Sequence, residues 1–119
     1  MDEQSARLKG ANAVKEGVAN RRELGAGVEM GLDEKALAKQ LEREGFGHTI
    51  VWQDGPNTYY SEHTHETETA HIILNGEMSL TMNGRTARYR VGERCDVPAG
   101  AVHSAKMGPQ GCRYLIGER

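Results

Sequence analysis

The chain has 119 residues, with 15 Lys plus Arg against 17 Asp plus Glu and a formal charge of −2. That length suits one domain with a real core, and the balanced charge excludes the clustered basic footprint of a nucleic-acid binder. No apolar run approaches the roughly 18 residues of a membrane-spanning helix, and the N-terminus lacks the basic-then-apolar layout of a secretory leader, so a cytoplasmic location away from any membrane is expected. Two cysteines, Cys95 and Cys112, make no disulfide framework and are read as buried thiols.

Residues 1–32 read as an N-terminal extension. Leu8, Ala11, Val14 and Val18 give a faint helical stripe, weakened by Gly10 and Gly17, so the segment is expected to be a weak helix or mobile. Met30-Gly31-Leu32-Asp33 resembles a natural beginning, so the upstream part is expected to be a dispensable extension or to come from a displaced start site. Residues 33–45 form a better helix. Asp33 is a suitable N-cap, Leu37 and Leu41 lie one turn apart, and Gly45 can close the C-terminus in a left-handed conformation.

From Phe46 to Arg119 the apolar period changes from 3.6 to 2, which marks strands. Eight short strands are expected, near 47–53, 58–65, 69–75, 77–83, 85–91, 94–98, 103–107 and 111–117. Asn83-Gly84 is the strongest hairpin signal, because a type I′ turn needs positive φ at both central positions. Met78, Leu80 and Met82 alternate with Ser79 and Thr81, so that strand has one buried face. Arg85, Glu93 and Arg94 read as solvated strand ends. The pattern suits an all-β domain, either a small closed barrel or a double-sheet jelly roll.

The chemistry lies in the histidines. His63 and His65 sit two apart on an expected strand, so both rings project from one face. His103 follows the Pro98-Ala99-Gly100 turn and brings a third imidazole if its strand neighbours the first. Three imidazoles suit a divalent metal and leave positions open for water or substrate. The bland alternative is three histidines satisfied by water or by one another. Tyr59 and Ser61 share the expected inward parity of His63 and can hydrogen-bond a ligand.

These residues resemble the two cupin motifs, G-x5-H-x-H-x3,4-E-x6-G and G-x5-P-x-G-x2-H-x3-N. The first is carried by His63-Thr64-His65 and Gly76, the second by Gly92, Pro98, Gly100 and His103, and the resemblance spans about residues 46–117. It departs from the family in three places: Thr69 stands at the Glu position, Met107 at the Asn position and Asn57 at the opening Gly. The resemblance implies a double-stranded β-helix, a jelly-roll-like barrel, with one or two N-terminal helices. It also implies a divalent transition metal (Fe, Mn, Ni or Zn) on His63, His65 and His103, and a homodimer. His71, two residues beyond Thr69 on the same expected face, reads as a fourth ligand or as a hydrogen-bonding neighbour of the metal. Thr69, Met78, Leu80 and Met107 are expected to line the pocket with Tyr59 and Ser61.

Three functions fit. The first is a metal-dependent, dioxygenase-like enzyme acting on a small chelating substrate. The second is a non-catalytic small-molecule binder or sensor. The third is a sugar isomerase or epimerase, which ranks last because no carboxylate base stands on the motif.

Overall fold

The computed structural model describes residues 11–14 and 32–119. Strand β1 (Ala11–Val14) is followed by helix α1 (Glu34–Arg43) and strands β2 (His48–Asp54), β3 (Tyr59–His63), β4 (Thr69–Met82), β5 (Arg85–Arg90), β6 (Arg94–Val97) and β7 (His103–Glu118). Ala11–Val14 is extended and pairs antiparallel with β6, where the faint sequence stripe suggested helix. The rest of that stripe, Leu8 and Val18 included, lies outside the described residues. Among the described residues no helix is long and apolar enough to cross a membrane.

The eight expected strands merge into fewer, longer ones. β4 joins two of them across Gly76, and β7 joins two across Gly111. Both glycines have positive φ, +78° and +81°, and a Cβ on Gly76 would lie 2.1 Å from the Gly111 carbonyl oxygen. Only glycine permits both that backbone conformation and that approach. The two strands therefore bend together without breaking their ladder, which shifts register near Gly76.

The common bend folds one seven-stranded antiparallel sheet into two layers, here called the first and second sheet. The first halves of β4 and second half of β7 form one sheet with β2, β6 and β1; the remaining halves form another with β3 and β5. The sheet is not closed among the described residues, and its architecture is that of a jelly-roll-like barrel. The Asn83-Gly84 turn joins β4 to β5 with φ of 56° and 75°, as the hairpin signal predicts.

Interior rows can be read off the register. In the first sheet, counting away from the bend, they are Asp54–Cys112, then Trp52–Tyr114–Ile73, then Ile50–Ile116–His71–Cys95. In the second they are Met107–Met78–Tyr89, then Tyr60–Ala105–Leu80, then His63–His103–Met82. Most of these side chains form one hydrophobic cluster between the sheets. Cys95 and Cys112 are free, buried thiols within it, and burial raises both pKa values, that of Cys112 to about 12.

The outer face of the first sheet is covered by α1. Asp33 caps the helix by accepting from the Ala36 amide at 3.1 Å, and Leu37, Leu41 and Phe46 pack on Ala70, Ile72, Leu74 and Leu115. Arg94, expected to be solvated, is 4% exposed beneath this cover. Its guanidinium donates to both Glu44 carboxylate oxygens, at 2.9 and 2.7 Å, and to both of Asp96, at 2.7 and 2.8 Å. Strand alternation puts Arg94 and Asp96 on the helix side, and the docking of the helix then buries them.

Candidate metal centre

The third interior row of the second sheet carries the chemistry. His63 and His103 are direct cross-strand partners on β3 and β7. His65 lies just beyond β3, where its carbonyl accepts from the Gly100 amide at 2.9 Å. That bond ties the His-Thr-His segment to the Pro-Ala-Gly turn. Gly100 supplies the required left-handed conformation, with φ of +81°.

The three rings converge. Their centroids are 4.3, 4.7 and 4.8 Å apart, with interplanar angles of 49° to 75°, so they are fanned rather than stacked. One ligand nitrogen from each lies within 4.8 Å of the others. His63 Nδ1–H donates to the Ser61 carbonyl and His103 Nδ1–H to the Ala101 carbonyl, at 3.0 Å for the latter. In a neutral imidazole, a proton on Nδ1 leaves Nε2 as a lone pair. Burial lowers the His103 pKa, the Ala101 bond partly offsets this, and repulsion from His63 adds to the lowering.

This arrangement fits a metal ion. His63 Nε2 is buried with no hydrogen-bond partner. His65 Nε2 and His103 Nε2 stand 3.2 Å apart. Two nitrogens on one ion at roughly 2.0–2.1 Å, at coordination angles of roughly 90–110°, would be separated by about 2.8–3.4 Å. A shared divalent ion satisfies the orphaned nitrogen and the close pair together. Three neutral imidazoles also leave the full +2 charge to attract anionic or chelating ligands.

The other expected site residues divide. Thr69 is fully buried at the start of β4. Met78, Leu80 and Met107 are buried in the core rows nearer the bend, and half-buried Met82 is the cross-strand neighbour of His103. His71 is fully buried on the facing sheet and lies outside the three-histidine group.

Tyr59 and Ser61 are a correction. Both are exposed, Tyr59 at 61%. The register shifts by one residue between Tyr60 and His63, and this bulge reverses the parity. Tyr60 therefore packs against the interior cluster in place of Tyr59. Ser61 is exposed, and its carbonyl accepts from His63 Nδ1.

One interior feature had no signal in the sequence. Asp54, 8% exposed, accepts from Trp52 Nε1 at 3.0 Å, Tyr60 OH at 2.7 Å and Tyr114 OH at 2.7 Å. The network braces β2, β3 and β7 at the closed end of the sandwich. Burial raises the Tyr114 pKa, and the neighbouring Asp54 carboxylate adds to the rise.

A family model for the cupin domain matches residues 50–115. The chain belongs to the cupin family. The match contains His63, His65 and His103 and both bend glycines. Among solved structures, this cupin is similar to a cupin superfamily protein from Desulfitobacterium hafniense, with 18% identity, a TM-score of 0.54, and coverage of 59% of this chain and 64% of that one. It is similar to the DMSP lyase DddQ from Ruegeria pomeroyi, with 26% identity, a TM-score of 0.55, and coverage of 60% and 36%. It is also similar to KdgF from a Halomonas species, with 15% identity, a TM-score of 0.52, and coverage of 59% and 67%. The cupin thus spans less than two thirds of the length of the first two structures. No curated protein sequence matches it significantly.

Proposed function

We propose that this cupin is a mononuclear metal-dependent enzyme acting on a small chelating substrate, dioxygenase-like in its reaction. The carrying observation is the convergence of three imidazoles with His63 Nε2 buried and unpartnered beside the His65–His103 pair. His63, His65 and His103 would hold a divalent transition ion of the Fe, Mn, Ni or Zn group. Such an ion, when bound, supplies Lewis acidity and, for the redox-active members, electron transfer.

The chain's own groups do the rest. The Nδ1 bonds to Ser61 and Ala101 fix ring orientation and tautomer for His63 and His103. Met82 and Leu80 place apolar surface beside the histidine row, which favours exclusion of water around a bound substrate. Among the described residues no carboxylate joins the histidine group, so proton transfer would fall to the substrate or to neutral side chains.

A second reading is a lyase, favoured by the 26% identity to the DMSP lyase. Elemental analysis of protein purified without added metal, followed by turnover assays on diketones, thiols, aromatic diols and DMSP, separates the readings. Oxygen uptake stoichiometric with substrate loss supports the dioxygenase. Turnover without oxygen supports the lyase. Bound metal with no turnover on any of them leaves a non-catalytic binder.

A further inference from the structure

His71 is the one other histidine among the described residues that is fully buried, and it lies outside the three-histidine group. It lies on β4 in the first sheet, in register with Cys95 and Ile116, both interior residues. Its row is the third from the Gly76–Gly111 bend. The His63–His103–Met82 row is also the third from that bend, on the opposing sheet. Both rows border one interior: Cys95 and Ile116 beside His71, and Met82 beside His103, pack in the same hydrophobic cluster. The electrostatics agree: His103 and His63 are near enough that their charge disfavours protonation of His71.

The proton position follows from the partners. A carbonyl can only accept, so His71 Nδ1 must carry the proton it donates to the Cys95 carbonyl at 3.2 Å. Nε2 is then a lone pair. It is buried and has no hydrogen-bond partner. An unsatisfied buried acceptor costs on the order of 1–3 kcal/mol, and a ligand that donates to it recovers part of that cost. Burial holds His71 neutral, so the acceptor persists at physiological pH.

We infer that His71 is a fixed hydrogen-bond acceptor facing the three-histidine cluster, and that it selects ligands carrying an O–H or N–H group beside their chelating atoms. The inference rests on the metal-centre reading and narrows its substrate class to protic chelators, such as hydroxy acids, enediols and catechol-like diols. Asp54 cannot substitute for His71, because its two oxygens already accept from Trp52, Tyr60 and Tyr114.

The test uses the zinc-loaded full chain and two probes, glycolate and methoxyacetate. They share charge and carboxylate and differ in the hydroxyl proton. Calorimetry should show wild type preferring glycolate, and His71→Leu should cut that preference about fivefold or more while retaining zinc. An unchanged preference in zinc-retaining His71→Leu overturns the inference. So does loss of zinc in that variant, which would make His71 a metal ligand. Wild type that takes up no zinc sinks the metal reading itself, a different failure. Should His71→Leu not fold, histidine-ring nitrogen NMR of the zinc-loaded wild type decides. The expected result is a bare His71 Nε2 whose signal moves with glycolate and not with methoxyacetate. A protonated Nε2, or equal responses to the two probes, refutes it.

Discussion

The His65 carbonyl accepts a hydrogen bond from the Gly100 amide at 2.9 Å, joining two segments that each deliver part of the histidine cluster. Gly100 holds φ of +81°, whereas proline fixes φ near −65° and has no amide proton. Gly100→Pro should therefore move His103 relative to His65 and weaken metal affinity about tenfold or more. Titration with zinc against a competing chelator measures this.

The bend glycine Gly76 and the hairpin glycine Gly84 give a matched pair of stability predictions. A methyl on Gly76 meets the Gly111 carbonyl at 2.1 Å, while a methyl on Gly84 meets nothing within 4 Å, although φ is positive at both. Gly84→Ala should cost about 1–2 kcal/mol, the strain of the left-handed backbone alone. Gly76→Ala should cost clearly more, because the strands must separate at their shared bend. Urea unfolding of the two variants checks the order. Equal costs would mean the close approach carries no weight.

Much of this was legible beforehand, for physical reasons. A hairpin with Asn-Gly and a capped amphipathic helix are local signals, and each is found where the sequence places it, whereas the strand expected to carry both His63 and His65 ends at His63. The merging of strands at Gly76 and Gly111 was not legible, since a glycine that bends a strand reads like one that ends it. The bulge between Tyr60 and His63 leaves no composition signal, yet it exchanges Tyr59 for Tyr60 at the interior. Arg94 looks like a surface residue until α1 is placed over it. Asp54 looks like a turn residue until Tyr60 and Tyr114 arrive from distant strands.

Arg94 supports a further prediction. Its removal leaves Asp96 buried without its cation, and desolvation already raises the Asp96 pKa despite that cation. Arg94→Met should destabilise by about 3–5 kcal/mol. The double variant Arg94→Met/Asp96→Leu should recover part of the loss, because the buried carboxylate is then gone and only the partly exposed Glu44 is left without its cation. A double variant no more stable than Arg94→Met would contradict this account.

The pH dependence of the metal-free protein follows from the buried histidines. Burial, then repulsion from His103 and His63, hold His71 down from 6.5 to about 3, against the raising effect of the Cys95 bond, and burial lowers His103 as well. Below pH 6.5 the unfolded chain binds protons that the folded chain refuses. Stability should therefore be full above about pH 6.5 and fall as pH drops towards 3, at up to roughly 1.4 kcal/mol per pH unit for each such histidine. His71→Leu should flatten this slope, measured by urea unfolding at stepped pH. Cys95 and Tyr114, the other titratable neighbours of His71, stay neutral throughout that range.

The most direct measurement is metal content. Protein purified without chelator or added metal, and then titrated with zinc, should hold close to one divalent ion per chain. His63→Ala and His103→Ala should each lose it while circular dichroism still shows a folded β protein. Metal content unchanged in both variants, or a wild-type chain that takes up no divalent ion, would contradict the account.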